Sequence, residues 1–154
     1  MREIHDRADE PVEATPEAVF SVITDIERLP QWNVAIQRVI RHPPVLSLGA
    51  QWTVEMHPSR GMRWNSLSTV EEIDLQALRF SYRTVNADGN PSYTVWIWEI
   101  APQNSTSIVS VSWDVYLKTL DRRLLAGPIR RRQLRREVAA SLRAIVQLAG
   151  SSAR

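Results

Sequence analysis

The sequence contains no cysteine, which excludes disulfides and thiolate-bound metal. Its three histidines, His5, His42 and His57, are too scattered to suggest a zinc site, so neither a metal nor a cofactor is expected. No run approaches the roughly 18 consecutive apolar residues of a membrane span. The opening MREIHDRADE is charged where a signal peptide would be apolar, and a soluble, cytoplasmic protein is the expectation. Glycine is scarce, at five residues, and none sits in a phosphate-cradling loop. A nucleophile motif and a carboxylate pair of defensible spacing are also missing, which leaves open whether any reaction is catalysed.

What is present fits one domain spanning residues 1–154, long enough to bury a core. A hydrophobic fraction of 44% with 23% charged residues is ordinary for a folded protein. Net charge is only +2, so its distribution says more than its sum. Acids dominate residues 1–30, while arginines gather near the end as Arg130, Arg131, Arg132, Arg135, Arg136 and Arg143. Such a cluster can mark nucleic acid or an anionic membrane, but it is more often a solvated helix face, and no nucleic acid is expected.

The longest helical pattern runs from Gly127 to Gly150. Leu134, Val138, Leu142, Ile145 and Ala149 recur there at helical spacing and form one apolar stripe. The stripe needs a partner surface, and most of the preceding chain reads as strands. Residues 1–13 make a first strand that Pro11 confines to an edge or a strand end. Thr15, Pro16 and Glu17 supply a cap, a pre-set first turn and an acid for the helix dipole. Val19, Phe20, Ile23 and Ile26 form the buried stripe of that helix, which Leu29 and Pro30 stop.

Residues 34–118 read as an antiparallel sheet. Gln51 to His57 alternates, placing Trp52, Val54 and Met56 inward and His57 outward. A turn is expected over Pro58–Gly61. Met62 to Ile73 is a long strand of ambiguous facing, because both alternating sets mix polar and apolar residues. Leu78, Phe80, Tyr82 and Thr84 face inward, and Asp88-Gly89-Asn90 centres a hairpin. In the next strand Trp96, Trp98 and Ile100 go inward with Thr94, since the opposite facing would bury Glu99. Val109, Val111, Trp113, Val115 and Leu117 follow inward, leaving Ser110, Ser112, Asp114 and Tyr116 in water. Asp121–Ala126 reads as a helical lead-in to a final helix over 121–150, which Pro128 either opens or kinks.

The run ATPEAVFSVITDIERLPQWN, Ala14 to Asn33, resembles the entry motif of the START-like (SRPBCC) superfamily, which includes polyketide cyclases, dehydrases and lipid-transfer proteins. The pattern falls on Ala14, Pro16, Glu17, Asp25, Pro30 and Trp32. The resemblance implies an α+β helix-grip fold of the Bet v 1 type. In it a curved antiparallel sheet wraps a long C-terminal helix, two short helices (15–32) follow the first strand, and an apolar cavity lies between sheet and helix. For this chain it implies a small hydrophobic ligand such as a lipid, isoprenoid or polyketide.

Six tryptophans are a heavy commitment for so short a chain. Trp52, Trp96, Trp98 and Trp113 fall on inward faces, with Trp64 a candidate fifth. Aromatics at inward positions are ordinary core in most folds; the implied cavity turns these, with Met56, Phe80 and Tyr82, into candidate ligand contacts, roofed by Leu134 and Val138. Thr84 and Thr94, and Ser66 and Ser68 if Trp64 faces in, are the polar groups able to reach it. Arg132, Arg136 and Arg143 lie on the ridge opposite the apolar stripe. Arg131 falls in line with it, either snorkelling to water or pairing with an anionic ligand head. Three readings compete: a hydrophobic-ligand binder, a cyclase or dehydrase of the same fold, and an interaction module using the basic ridge. A homodimer through outer-face Tyr93, Val95, Ile97 and Ile108 is a further expectation.

Overall fold

The computed structural model describes residues 4–59, 62–119 and 127–152. Strand β1 (Ile4–Val12) leads to helix α1 (Pro16–Thr24), one 3-10 turn (Ile26–Arg28) and the single-turn helix α2 (Leu29–Trp32). Strands β2 (Ile36–Arg41), β3 (Gln51–Ser59), β4 (Met62–Asp74), β5 (Arg79–Asn86), β6 (Tyr93–Gln103) and β7 (Thr106–Tyr116) precede helix α3 (Gly127–Ser152).

The strands form one antiparallel sheet in the order β1-β7-β6-β5-β4-β3-β2. From β2 to β7 each strand pairs with its sequence neighbour. β1 instead pairs with β7, from Ile4 opposite Val115 to Val12 opposite Ser107. Pro11 therefore lies on an edge strand, where its missing N–H is tolerated. Asp6, Arg7, Asp9 and Glu10 give that edge charges that discourage a foreign strand from pairing. At its far end the Ser107 hydroxyl donates to the Ala14 carbonyl at 2.6 Å, fastening the exit of β1 to β7.

Thr15 caps α1 as its sequence suggests: its backbone is extended and its Oγ1 accepts the Ala18 N–H at 3.2 Å. The expected stop at Leu29-Pro30 is corrected. Helix α1 already ends at Thr24, and Leu29-Pro30 opens α2, because proline loses no hydrogen bond in a first turn. Trp32 at the end of α2 is buried edge-on against Trp98, ring centroids 5.4 Å apart. α2 is thereby pinned to the sheet.

The ambiguity over β4 has a physical cause. Val70 sits opposite Tyr82, but the register then shifts, so that Glu72 meets Ser81 and Ile73 meets Phe80. A bulge inserts one residue and flips the alternation. Trp64, Ser66, Ser68 and Val70 share the inner face before it, and Ile73 joins that face after it. The expected turn over Pro58–Gly61 is also narrower, since Pro58 and Ser59 continue β3; residues 60 and 61 lie outside the described ones. Leu78 does not begin a strand but closes the β4–β5 turn at φ 54°, with its side chain still against the core. The Asp74 carboxylate accepts the Gln76 and Ala77 N–H groups in that turn.

In β7 the inward set Val109, Val111, Trp113 and Val115 is buried, as is Leu117 just beyond the strand. The opposite set is not in water: Ser110 is buried and Ser112, Asp114 and Tyr116 are half-buried. β7 lies between β1 and β6, whose side chains shelter it. His5 on β1 sets its Nδ1 2.5 Å from the Asp114 carboxylate across the pair.

Pro128 opens α3 rather than kinking it, and the expected lead-in at Asp121–Ala126 lies outside the described residues. Leu134, Val138, Leu142, Ile145 and Ala149 are all buried. α3 packs against β1, α1 and α2. Burying a Leu, Ile or Val side chain is worth about 1.5–3 kcal/mol, so this stripe, rather than helix propensity, holds α3 in place.

Candidate functional site

Residues directly opposite on paired strands share a face, so the register gives the rows of the inner face. One row runs Ile73, Phe80, Trp98, Val111, Ala8 and the next Val70, Tyr82, Trp96, Trp113, Asp6. A third runs Ser68, Thr84, Thr94, Val115, Ile4. On the β3 side Trp52 faces Ser68, Val54 faces Ser66, and Met56 faces Trp64. The structure thus brings Trp52, Met56, Trp64, Phe80, Tyr82, Trp96, Trp98 and Trp113 onto one face.

Burial divides them. Trp52, Phe80, Tyr82, Trp98 and Trp113 are buried, and Trp52, Phe80 and Tyr82 form a ring cluster with centroids 4.9 to 6.0 Å apart. Met56, Trp64, Thr84, Thr94 and Trp96 are only half-buried although they point the same way. One end of the inner face is therefore incompletely covered. A groove of about 400 Å³ runs past Trp64 and is otherwise lined by Glu55, Arg63, Asn65, Ala87 and Asp88. Glu55 pairs with Asn65 on the face opposite Met56 and Trp64, so this groove belongs mainly to the outer side of the sheet. A second crevice, of about 510 Å³, is lined by Ile73 of the inner face with Ile26, Leu46 and Leu75, beside the ion pair of His42 Nε2 with Glu27 at 2.9 Å.

The polar groups of the inner face are mostly hydroxyls. Ser66 and Ser68 are buried, and Ser68 shares a hydrogen bond of 2.8 Å with Thr84. The Trp98 indole N–H donates to the Tyr82 hydroxyl at 3.2 Å. Burial pushes Tyr82 up to about 12 despite that bond, so it stays a neutral hydrogen-bonding group and not a base. Among the described residues, the buried indole nitrogens of Trp32 and Trp113 have no hydrogen-bond partner.

Three helix-borne charges matter here, Arg131, Arg135 and Glu137. Asp6, at the β1 end of the Trp113 row, receives Arg135 and, at 3.8 Å, Arg131. The Arg135 hydrogen bond holds the Asp6 carboxyl below its ordinary value. Arg131 itself remains 53% exposed. Glu137 lies two residues beyond Arg135, about 200° around the helix, and so on the flank turned away from β1. It is half-buried and accepts Gln133 Nε2 at 2.8 Å. Burial raises its pKa, against the opposing effects of Arg130 and Gln133. Sequence reasoning missed Glu137, although a helical wheel places it beside the apolar stripe.

The outer patch expected to meet a second copy is partly occupied. Tyr93 stacks on Tyr116 at 4.6 Å and carries the Arg83 guanidinium 4.3 Å from its ring. His57 is half-buried, its Nδ1 2.9 Å from the Met62 carbonyl. Among the described residues no group of three His, Asp or Glu comes together to hold a metal, and no helix is long and apolar enough to cross a membrane.

The family described as polyketide cyclase/dehydrase and lipid transport matches residues 6–150. The chain belongs to that family. Its fold is the START-like, Bet v 1-type helix grip. Among solved structures it resembles TTHA0849 from Thermus thermophilus, at 16% identity, with a TM-score of 0.78 over 98% of this chain and 100% of that one. Protein CV1439 from Chromobacterium violaceum gives 17% identity and 0.76 over 95% and 96%. Ara h 8.0201 gives 14% and 0.74 over 96% and 98%. At these identities the likeness speaks for the fold alone. Comparison with curated protein sequences returns no match.

Proposed function

We propose that the protein binds a small hydrophobic molecule on the incompletely covered end of the inner face, beneath Leu134 and Val138 of α3. The observation that carries this is the half-burial of inward-pointing Met56, Trp64 and Trp96 beside a fully buried aromatic cluster. A folded chain gains by hiding such groups, and an apolar ligand would complete their burial. Family membership supports the same reading. Arg131, exposed at the start of α3, is the group that a carboxylate head would meet.

Tryptophan emission should respond saturably to at least one of palmitate, farnesol and emodin, and a native mass spectrum of freshly purified protein should carry extra mass from an apolar molecule. A flat response to all three probes with a folded protein would favour an interaction module instead. Arg131→Ala should weaken palmitate several-fold and leave farnesol unchanged. Equal affinity for palmitate in both proteins removes the role of Arg131.

Glu137 favours a second reading, a cyclase or dehydrase. A carboxyl whose pKa is raised by burial keeps its proton to higher pH than an exposed one, as proton donation to a carbonyl or leaving hydroxyl requires. The raised pKa means that the folded state binds the proton more tightly, so burial of Glu137 costs stability progressively as pH rises from the ordinary carboxylate value through the raised one, and the cost is complete above it. Glu137→Gln should therefore raise Tm at neutral pH, with the gain shrinking as pH falls through the carboxylate range. A gain independent of pH would show that Glu137 does not titrate as a desolvated acid.

A further inference from the structure

The crevice of about 510 Å³ is built by three connections that meet at one end of the sheet: the β2–β3 loop (42–50), the turn after β4, and the 3-10 turn between α1 and α2. Its floor is apolar. Ile26 is buried there, and Leu46 and Ile73 are half-buried. At its rim Val45 and Leu75 are 71% and 72% exposed, among the most exposed large apolar side chains of the described residues. Burying them would be favourable. The volume also falls within the roughly 300–1,000 Å³ usual for small-molecule sites.

Charge narrows the class of occupant. The ionisable side chains of the lining are Asp25, Glu27 and His42. Glu27 already faces His42 Nε2 at 2.9 Å, and the Pro43 carbonyl lies 3.2 Å from Nδ1 of the same ring, so His42 is engaged on both sides. Asp25 is different. It occupies the position that starts the 3-10 turn, where an aspartate ordinarily accepts a backbone N–H, yet its side chain makes no such bond. Among the described residues its carboxylate has neither a hydrogen bond nor an ion pair. Thr24 donates its hydroxyl proton to the Phe20 carbonyl at 2.8 Å, which leaves only acceptor capacity on that oxygen. An apolar hollow edged by acceptors and an unpaired carboxylate suits a compact apolar body with a positive, donating head. It repels an anionic one.

We propose that this crevice is a second binding site, for a small alkylammonium ion whose apolar body lies against Ile26, Leu46 and Leu75 and whose head meets Asp25. The site is separate from the inner face and does not depend on what that face binds.

The test uses 1-adamantylmethylammonium and 1-adamantylmethanol, which share a compact body and differ in charge, with calorimetry at low and high salt. The intact protein should bind the ammonium about fivefold more tightly at low salt, the scale of an exposed charge pair, and salt should erode the preference. Asp25→Asn should remove most of that preference and leave alcohol binding unchanged. Equal affinities of the intact protein, a preference undiminished in Asp25→Asn, or binding of neither probe overturns the proposal. Amide shifts of the intact protein need no variant: those of Asp25, Val45 and Leu75 should move as the ammonium saturates, and stationary ones overturn the site. Excess farnesol should leave ammonium binding unchanged. Displacement by farnesol places the probe on the inner face, which overturns the crevice and upholds the other site; failure of farnesol to bind at all bears on the inner face alone.

Discussion

Trp98→Ala should lower the free energy of unfolding by about 3–5 kcal/mol, the usual cost of emptying a buried tryptophan site. The ring is central to the packing: it is buried, meets Trp32 edge-on, and donates its N–H to Tyr82. Truncation removes apolar area, leaves a cavity and strips the Tyr82 hydroxyl of a buried partner. Urea unfolding should show a lower midpoint with an unchanged slope, meaning that the folded state lost stability without a change in what unfolds. Trp98→Phe separates the contributions. It keeps most of the volume and loses the hydrogen bond, so a smaller loss, about 1–3 kcal/mol, is expected. A loss below about 1 kcal/mol for Trp98→Ala would mean that α2 is not held to the sheet through this ring.

The second large effect is on α3. Ile145 has no exposed surface, whereas Arg143, two residues earlier, is exposed. Ile145→Asp places a carboxylate in the apolar seam with no counter-charge supplied, which should cost more than about 4 kcal/mol or leave the protein unfolded at room temperature. Arg143→Asp should change stability by no more than about 0.5 kcal/mol. Circular dichroism and thermal melts of the pair decide the matter. Similar losses in both would refute the division of α3 into a buried stripe and a solvated arginine ridge.

That division was legible in the sequence because helical spacing is a strong signal over so many turns. Leu134, Val138, Leu142, Ile145 and Ala149 needed only the 3.6-residue period to be found. Alternation served equally well for β3, β5, β6 and β7, whose inward residues occupy the predicted face. It failed in β4 because a bulge between Val70 and Glu72 changes the face midway, and nothing local announces a bulge. Alternation also misjudges exposure when a strand has neighbours on both sides, as Ser110 and Asp114 show. The candidate site was half legible. Its aromatic walls follow from alternation, but the half-burial of Glu137 depends on how α3 settles against β1, α1 and α2. Distances of that kind have no signature in composition or period.

The pairing of β1 with β7 also bears on how the chain reaches its native state. His5 and Asp114, which meet across that pair, are 109 residues apart. A ribosome must therefore finish almost the whole sheet before its first strand has anywhere to dock. Contacts at such separation slow folding, because the loop they close must be ordered before the contact repays it. Until then β1 waits as an unpaired strand beside other nascent chains, the state most open to aggregation. The charges spaced along Asp6 to Glu10 act as gatekeepers during this interval. Removing them should lower the yield of refolding at high protein concentration more than it lowers the stability of the finished fold.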